Sequence, residues 1–388
     1  MAIKRIGFIP LRKNSKGIPH KNKKKLLGRP LFTWVLTEAI FSNLDTIYVF
    51  TDDDEIISYL ELNFKWSDKV KAIKRSDENA SDTASTEAAM LEFASKIDWD
   101  FDYFCLLQAT SPLTKREHIN EALHCVTQQD YDSALSVVKT HRFIWDSNGK
   151  SLNYDIYKRP RRQDFEGLNI ENGAVYTTTK EAFKNSSNRI SGNIATIEMP
   201  EETLTEIDSL SDWKIIEQLI INTSKTSKNT GRLNYLVLDV DGVFTDGRVT
   251  FGVEGELSKT FDMRDGMGLE ILRQHNVQVI VMTSENSKVV QKRMEKLKIK
   301  DVYLGVKDKY SLIEQLQAES KIHVNATAYV GDDVNDLSNM LRVAWSFCPK
   351  NATKEIKYHA DVVLNHDSAN GAIREVSEFI INYNQRFE

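Results

Sequence analysis

Two aspartates separated by one residue, Asp239 and Asp241, stand in the segment LDVDGVFTDG, directly after the apolar run YLVL. Side chains alternate along an extended chain, so both carboxylates are expected on the same side of the strand end. Such a pair concentrates negative charge that a proton or a cation would relieve. A simple turn at the strand end is the alternative interpretation, and the pair alone does not exclude it.

Three further groups follow in chain order, each next to the end of an expected strand. They are a hydroxyl, a lysine that opens a helix, and an acidic cluster: Thr283, Lys309, and Asp332 with Asp333 and Asp336. The carboxyl ends of parallel strands meet at one edge of a sheet, so these groups are expected to converge. Their order favours an active site over an isolated turn.

A second candidate region is the basic stretch PLRKNSKGIPHKNKKK, residues 10–25, which contains seven lysines or arginines. It follows an expected strand and precedes a helix, so its amides and lysines are predicted to surround an anion. Its mixture of turn residues and hydrogen-bond donors indicates a folded loop. Lys23, Lys24 and Lys25 are expected to be a mostly solvated edge. The alternative is a basic arm that binds nucleic acid.

These residues are positioned by two runs of alternating strands and helices, which predict two α/β domains. Between them, residues 222–232 read NTSKTSKNTGR and contain no apolar residue, which is typical of a linker. The predicted limits are a first domain at 1–221, a linker at 222–233 and a second domain at 234–388. The expected strands are Lys4–Pro10, Thr46–Thr51, Tyr103–Gln108, Ser133–Val138, Tyr235–Val240, Gln278–Thr283, Val302–Leu304, Ala328–Gly331 and Ala360–Leu364.

Composition and charge argue against several classes of protein. The 388 residues carry a formal charge of −5, which argues against a general affinity for nucleic acid. No run of eighteen apolar residues predicts a membrane span, and the first residues do not resemble a secretory signal. Three scattered cysteines are expected to be reduced packing residues, which favours a cytoplasmic location.

From residue 234 onward the chain resembles the haloacid-dehalogenase-like phosphatases. The resemblance implies that Asp239 is a nucleophile and that Asp241 is a general acid and base. It further implies that Thr283 and Lys309 hold phosphate oxygens. Mg²⁺ would be bound by Asp239, by the backbone carbonyl of Asp241 and by Asp332, with Asp333 and Asp336 nearby.

More narrowly, this part is similar to the compact phosphatases of 3-deoxy-octulosonate 8-phosphate and nonulosonate 9-phosphate. These lack a large cap, which fits the short segment at 247–263, called the flap below. They form tetramers, and the resemblance makes Arg264 a candidate for substrate contact. After Thr283, this chain has Ser284-Glu285 where the octulosonate enzymes have Gly-Arg. The nonulosonate enzymes have a glutamate here, which favours a nine-carbon acid phosphate. The alternative for Glu285 is an acidic residue that starts a helix.

The first part, residues 1–221, resembles the cytidylyltransferases that activate acidic sugars, the family of CMP-N-acylneuraminate synthetase. The resemblance rests on IPLRKNSKGIPHKN, TDD, KRSDENASDTAST, LLQATSPL and RRQDFEGLNIENGAVY. It implies a nucleotidyltransferase-type Rossmann-like domain that is built on a parallel or mixed sheet and forms dimers. It places the nucleotide at Arg12, Ser15, Lys16, Lys21, Asn22, Arg75 and Ser85. It places the sugar acid at Gln108, Gln163 and Asn172, with Tyr176 as a weaker candidate.

A metal site is also implied by this resemblance. The family has an acidic IDID-type run, and the corresponding segment here is TEIDSLSDW, in which Asp208 keeps the second aspartate and Glu206 replaces the first. Both are predicted Mg²⁺ ligands, whereas Asp212 is predicted to belong to the first turn of the next helix. The implied reaction is attack by the sugar's anomeric hydroxyl on the α-phosphorus of CTP, with release of pyrophosphate.

Together the two resemblances predict a bifunctional α/β enzyme. The second domain would release a nonulosonic acid from its 9-phosphate, and the first would activate that acid with CTP. Two alternatives stay open: a second domain that serves only oligomerisation, and another acidic sugar such as legionaminate or 3-deoxy-octulosonate.

Overall fold

A computed structural model describes residues 3–15, 17–81, 83–226 and 231–387 of the chain. The chain forms two compact units, and each is discontinuous in sequence. The first contains Met1–Lys24 and Pro30–Ile216, and the second contains Lys25–Arg29 and Glu217–Glu388. That the predicted limits at 221 and 234 bound independent domains stays a prediction.

Up to residue 226, nine strands and six helices alternate along the described chain. They are β1 (Arg5–Leu11), β2 (Lys25–Leu26), β3 (Arg29–Pro30), α1 (Leu31–Ile40), β4 (Thr46–Thr51), α2 (Asp54–Asn63), β5 (Val70–Lys74), α3 (Thr86–Lys96), β6 (Tyr103–Leu107), α4 (Arg116–Gln128), β7 (Ser133–Thr140), β8 (Leu168–Thr179), α5 (Lys180–Ser186), β9 (Ile194–Glu198) and α6 (Leu210–Thr226). Helix α6 extends into the segment predicted as a linker.

The first unit is built on a seven-stranded mixed sheet in the order β5-β4-β1-β6-β8-β7-β9. Strands β5, β4, β1 and β6 are parallel, so their carboxyl ends lie at one edge. Strand β8 is antiparallel to β6 and β7. The parallel half therefore provides the edge at which the basic loop begins, directly after β1.

The core of the first unit lies on both faces of this sheet. Strand β1 alternates between them: Ile9 and Leu11 pack on one face, while Ile6 and Phe8 pack on the other. Phe8 lies 4.8 Å from Phe93 of α3, measured between ring centroids. Burial of one such aromatic side chain contributes about 1.5–3 kcal/mol, so the strand that carries the basic loop is held from both sides.

From residue 235 onward, eight strands and six helices are described. They are β10 (Tyr235–Leu238), β11 (Thr250–Gly252), β12 (Gly255–Ser258), α7 (Met263–Gln274), β13 (Gln278–Met282), α8 (Lys288–Lys296), β14 (Asp301–Tyr303), α9 (Lys309–Ala318), β15 (Thr327–Val330), α10 (Leu337–Arg342), β16 (Trp345–Cys348), α11 (Lys354–His359), β17 (Val362–Val363) and α12 (Ala372–Asn384).

The second unit contains a six-stranded parallel sheet in the order β14-β13-β10-β15-β16-β17. Strand β10 is central, between β13 and β15, so the residues that follow these three strands are neighbours. The flap contains the antiparallel pair β11 and β12. A core of aliphatic side chains, Met294 and the aromatic side chains of Phe244, Phe347 and Tyr383 packs around this sheet.

The predicted α/β class and the mixed character of the first sheet are confirmed. Each expected strand has a counterpart. The strands that were not predicted are β2, β3, β5, β8, β9, β11, β12 and β16. The three cysteines are buried free thiols, as expected. Within the described ranges, no helix combines the length and apolar character needed to cross a membrane.

Candidate active sites

The loop after β1 is fixed by contacts to neighbouring segments. The amide of Lys13 donates to Asp52 Oδ1 at 2.8 Å, and Asn22 Nδ2 donates to the carbonyl of Arg12 at 3.0 Å. A Cβ at Gly17 would lie 2.1 Å from the carbonyl oxygen of Asp208, so only glycine allows this approach. The basic stretch is therefore a folded loop, as predicted.

A cavity of about 190 Å³ lies against this loop in the first unit. Its lining includes six of the residues predicted to bind nucleotide or sugar: Arg12, Ser15, Lys21, Asn22, Arg75 and Gln108. Burial, and then the positive charge of Arg12, lower the pKa of Arg75. Arg12 therefore lies close enough to Arg75 to oppose its positive charge, and a polyanion bound beside both guanidinium groups would be attracted by both.

The acidic residues predicted as metal ligands lie beside Lys21. Its ammonium donates to the carbonyl of Ile207 at 2.8 Å and to Asp208 Oδ1 at 3.1 Å. Burial, and then the charge of Asp208, raise the pKa of Glu206. Glu206 and Asp208 are therefore close enough to repel each other, and their oxygens are suitable for a hard cation such as Mg²⁺.

Other predicted residues of the first unit have different surroundings. Asn172 is 1% exposed; its Oδ1 accepts from Ser136 Oγ at 2.6 Å, and its Nδ2 donates to Thr203 Oγ1 at 3.1 Å. Gln163 is exposed, in a short 3-10 turn at Arg162–Asp164. These two are not among the residues that line the cavity. Their contact with the sugar stays a prediction.

Three further residues were predicted to bind the nucleotide or the sugar acid. Ser85 is the N-cap of α3, where its hydroxyl accepts from the amide of Ala88 at 3.1 Å. Tyr176 is buried and its hydroxyl donates to Glu171. Lys16 lies outside the described residues.

The expected solvated edge is wrong for Lys23. Its side chain is only 22% exposed, and its ammonium lies 2.9 Å from the buried Asp53 and 2.8 Å from Glu55. Asp53 is the N-cap of α2. Lys23 therefore fastens the basic loop to the start of a helix, which a count of charges could not reveal.

The second unit brings its predicted acids and lysine together in a buried cluster. The ammonium of Lys309 lies 2.8 Å from Asp239 Oδ1 and 2.7 Å from Asp336 Oδ1. Tyr329 donates to the same oxygen of Asp336 at 2.7 Å. One oxygen each from Asp239, Asp332 and Asp336 lie within 4.8 Å of one another. The predicted convergence at the strand ends is therefore observed.

The charges of this cluster do not balance without a cation. Burial, and then the charge of Asp336, raise the pKa of Asp239 and also raise that of Asp332, the latter to about 8. Burial opposes the protonated form of Lys309, but the charges of Asp239 and Asp336 raise its pKa. Three ionised carboxylates and one ammonium leave two negative charges, which matches the charge of Mg²⁺.

Asp241 and Thr283 flank this cluster. Gly242 has φ +85°, and a Cβ there would lie 2.0 Å from Asp332 Oδ2, so glycine is needed between the two acidic segments. Asp241 Oδ1 lies 2.5 Å from the ammonium of Lys259. Thr283 is buried, and its hydroxyl accepts from the amide of Glu285 at 3.2 Å.

The remaining predicted residues are more exposed. Asp333 accepts from the amide of Val334 at 2.7 Å and does not belong to the three-acid group. Arg264 is paired with Asp262 at 2.6 Å. Glu285 is exposed and lies 3.0 Å from the ammonium of Lys307. Roles in substrate contact for Arg264 and Glu285 stay predictions.

Sequence reasoning missed two cations of the second unit. Lys259 was not singled out, although it contacts Asp241. Arg29 was also missed: its guanidinium lies 2.9 Å from Asp308, and both side chains are nearly inaccessible. Asp308 is the N-cap of α9, which begins at Lys309. Residue 29 is distant in sequence from residue 308, so local patterns carried no signal for this ion pair.

Comparison with known proteins identifies both parts of the chain. Residues 6–196 match the cytidylyltransferase family, and residues 282–376 match the haloacid dehalogenase-like hydrolases. The chain is 33% identical to N-acylneuraminate cytidylyltransferase B of Danio rerio, over 98% of this chain and 91% of that protein. It is 32% identical to N-acylneuraminate cytidylyltransferase A of Danio rerio, over 96% and 88%.

A shorter relative matches 38% of the chain. It is 3-deoxy-D-manno-octulosonate 8-phosphate phosphatase KdsC of Haemophilus influenzae, which is 34% identical over 149 residues, 83% of that protein. The two resemblances predicted from the sequence, and their fusion in one chain, are therefore confirmed.

Proposed function

The chain belongs to the N-acylneuraminate cytidylyltransferase family, and we propose that it is a bifunctional enzyme. The first unit transfers CMP from CTP to a nonulosonic acid, N-acetylneuraminate or 2-keto-3-deoxynononate, and releases pyrophosphate. The second unit supplies that acid by removing phosphate from its 9-phosphate. The observation that carries this proposal is the presence of two separate sites, one rich in cations and one built from buried acids around Lys309.

In the first unit, the cavity residues orient CTP and compensate its charge. Arg12, Arg75 and Lys21 approach the triphosphate, which relieves the repulsion between the two guanidinium groups. The anomeric hydroxyl oxygen of the sugar acid attacks the α-phosphorus, and the bond to the β-phosphate oxygen breaks. Positioning and charge neutralisation supply most of the rate enhancement in such a transfer.

Mg²⁺ fits this site because Glu206 and Asp208 repel each other in its absence. When bound, the cation would neutralise charge on the phosphates. Lys21 already contacts Asp208, so it links the acidic pair to the nucleotide loop.

In the second unit, the reaction has two displacement steps. A carboxylate oxygen of Asp239 attacks phosphorus while the bond from phosphorus to the sugar oxygen breaks, and Asp241 gives that oxygen a proton. Asp241 then takes a proton from water, whose oxygen attacks phosphorus and frees Asp239. Lys309 and the Thr283 hydroxyl would hold the phosphate oxygens.

Mg²⁺ fits the second site because the three clustered carboxylates carry more negative charge than the ammonium of Lys309 compensates. Asp239, Asp332 and the backbone carbonyl of Asp241 would hold it, and it would neutralise the phosphate. Asp336 contacts Lys309 and Tyr329, so its main role is to fix the lysine.

The substrate assignment rests on Glu285. An exposed carboxylate can accept hydrogen bonds from sugar hydroxyls. The glutamate that the nonulosonate phosphatases have at this position favours a nine-carbon acid phosphate over an octulosonate phosphate. Legionaminate-type acids and 3-deoxy-octulosonate are the competing substrates. Free buried thiols at Cys105, Cys125 and Cys348 agree with the proposed cytoplasmic location.

An oligomer is part of the proposal, as a dimer through the first unit and a tetramer through the second. The flap exposes the apolar side chains of Phe251, Val253 and Leu257, which a neighbouring chain could cover. A second unit that served oligomerisation alone is the alternative, but it would not need a lysine buried between two carboxylates.

The decisive experiment supplies CTP with a panel of free nonulosonic acids and, separately, the corresponding 9-phosphates. Pyrophosphate release measures the first activity and phosphate release the second. We expect both, with N-acetylneuraminate or its deaminated analogue preferred. Pyrophosphate release without phosphate release would favour the oligomerisation alternative. If neither product forms and the protein retards RNA at physiological salt, the basic stretch would instead be an arm that binds nucleic acid.

A further inference from the structure

A buried lysine of the flap contacts the general acid of the second site. Lys259 follows β12, and its side chain is 1% exposed. Its ammonium lies 2.5 Å from Asp241 Oδ1, and the side chain of Asp241 is 28% exposed to solvent. A lysine is rarely buried to this extent without a specific partner.

Lys259 is itself held in place by a short chain of contacts. Its ammonium lies 3.6 Å from Glu256 Oε2, and Ser287 donates to the other oxygen of that carboxylate. Ser287 is the N-cap of α8, whose hydroxyl accepts from Val290 at 3.1 Å. The ammonium of Lys259 is therefore held by Glu256 of the flap, which is in turn bonded to Ser287, the N-cap of α8.

The hydrogen bonds to Asp241 fall on one of its two oxygens. Lys259 Nζ donates to Oδ1 at 2.5 Å, and Thr245 Oγ1 donates to Oδ1 at 3.3 Å while sharing its proton with the carbonyl of Val240 at 3.4 Å. In the part of the chain that the structure describes, no donor is bonded to Oδ2. Two donors on one oxygen fix the rotation of the carboxyl group and leave the other oxygen for proton exchange.

We infer that Lys259 is a positioning residue, which orients Asp241 so that Oδ2 exchanges protons with the leaving oxygen and then with water. During the first step the proton moves from Oδ2 to the sugar oxygen as its bond to phosphorus breaks. Oδ1 can accept from Lys259 whether or not Oδ2 carries the proton. The contact therefore persists through both steps and connects the flap to the chemistry.

This inference rests on the proposed phosphatase function and is tested with two esters. Lys259→Met keeps an unbranched side chain and removes the ammonium. We expect kcat/KM for the sugar 9-phosphate to fall about 100-fold, within the usual effect of general acid catalysis. This ratio covers the steps up to release of the sugar and does not include the later attack of water, which is the same for both esters. For p-nitrophenyl phosphate, whose leaving group needs no proton, we expect a decrease of less than about 3-fold, because only departure of an alkoxide needs the acid.

Lys292→Met is the matched control, because Lys292 is 80% exposed on α8 and its ammonium pairs with Glu295 at 2.9 Å. It should change neither rate. Lys259→Arg should recover part of the sugar phosphate rate, since it restores a donor. An equal loss of both rates in Lys259→Met would overturn the inference, as that is the result of a purely structural role.

A second variant tests the inference even if Lys259→Met does not fold. Thr245→Val removes the other donor to Oδ1, and we expect the same selectivity for the sugar phosphate at a smaller loss. If Lys259→Met does not fold and Thr245→Val lowers both rates equally, the inference is also overturned. Failure of the unchanged protein to hydrolyse either ester would instead contradict the proposed function itself.

Discussion

The two sites of this chain hold their central lysines in different ways. Lys309 lies between Asp239 and Asp336, and all three side chains are nearly inaccessible to solvent. Lys21 contacts a backbone carbonyl and Asp208, whose side chain is 76% exposed. Buried contacts on both sides therefore fix the lysine of the second site, whereas the acidic partner of Lys21 in the first site is open to solvent. A phosphatase that forms a covalent intermediate needs charges that the protein fixes in advance, as in the second site, because its nucleophile is part of the protein.

The strongest test of this difference removes the nucleophile. Asp239→Asn should lower phosphate release by ~10³-fold or more, since such a residue acts in the covalent step. Pyrophosphate release from CTP should be unchanged. Both products are measured on the same preparation, and phosphate release that survives the substitution would contradict the assignment of Asp239.

The next test compares the stabilities of the two lysine sites. Lys309→Met leaves buried carboxylates without their cation and should destabilise the second unit by about 3–5 kcal/mol. Lys21→Met removes a partly exposed pair and should cost no more than about 1 kcal/mol. Urea denaturation measures both values, and hydrogen exchange shows which unit unfolds. Equal losses in the two variants would remove the contrast between the sites.

Catalysis in the first unit should nevertheless depend on Lys21. Lys21→Met is expected to lower pyrophosphate release by about 100-fold, because it removes a charge that is aimed at the triphosphate. Phosphate release should stay as it is in the unchanged protein. Steady-state kinetics with CTP as the varied substrate checks this, and unchanged turnover would show that the loop does not bind the nucleotide as proposed.

The smallest expected effect is the pH dependence of stability without metal. The raised pKa of Asp332, about 8, and that of Asp239 mean that these carboxyls keep protons in the folded state that they lose on unfolding. Their contribution is fully present below about pH 4, the unfolded pKa, and is lost as pH rises toward 8.

Mg²⁺ binds the ionised carboxylates, so it should raise the midpoint of thermal unfolding by a few degrees more at about pH 8 than at about pH 5.5. Calorimetry with Mg²⁺ or with EDTA measures this difference. Asp332→Asn is the control and should reduce it. The same stabilisation at both pH values would argue against a cation between these acids.

Sequence alone predicted the second site better than the first. Asp239, Thr283, Lys309 and Asp332 each stand beside a strand end, and parallel strands bring those ends together. Their convergence could therefore be predicted although they are far apart in sequence. The residues predicted for the first site include several on a long loop and Asn172 on β8, where the position of a side chain depends on contacts that no local pattern records.

Asn172 illustrates the limit. The pairing of β7 with β8 shifts register between Leu135 and Val137, and Gly173 has φ +70°. An irregularity of this kind changes the face to which neighbouring side chains point. Asn172 consequently bonds to Ser136 inside the unit, although the motif around it suggested a sugar ligand. Lys259 was missed for a related reason, since only the folded flap brings it to Asp241.

The ion pair between Arg29 and Asp308 has a practical consequence for dissecting this protein. Because residues 25–29 belong to the second unit, no single cut in the chain yields that unit complete. A fragment that starts at residue 231 would leave Asp308 buried without the guanidinium of Arg29, directly before Lys309. Weak phosphatase activity in such a fragment would reflect this missing peptide, and activities are best assigned in the intact chain with single substitutions.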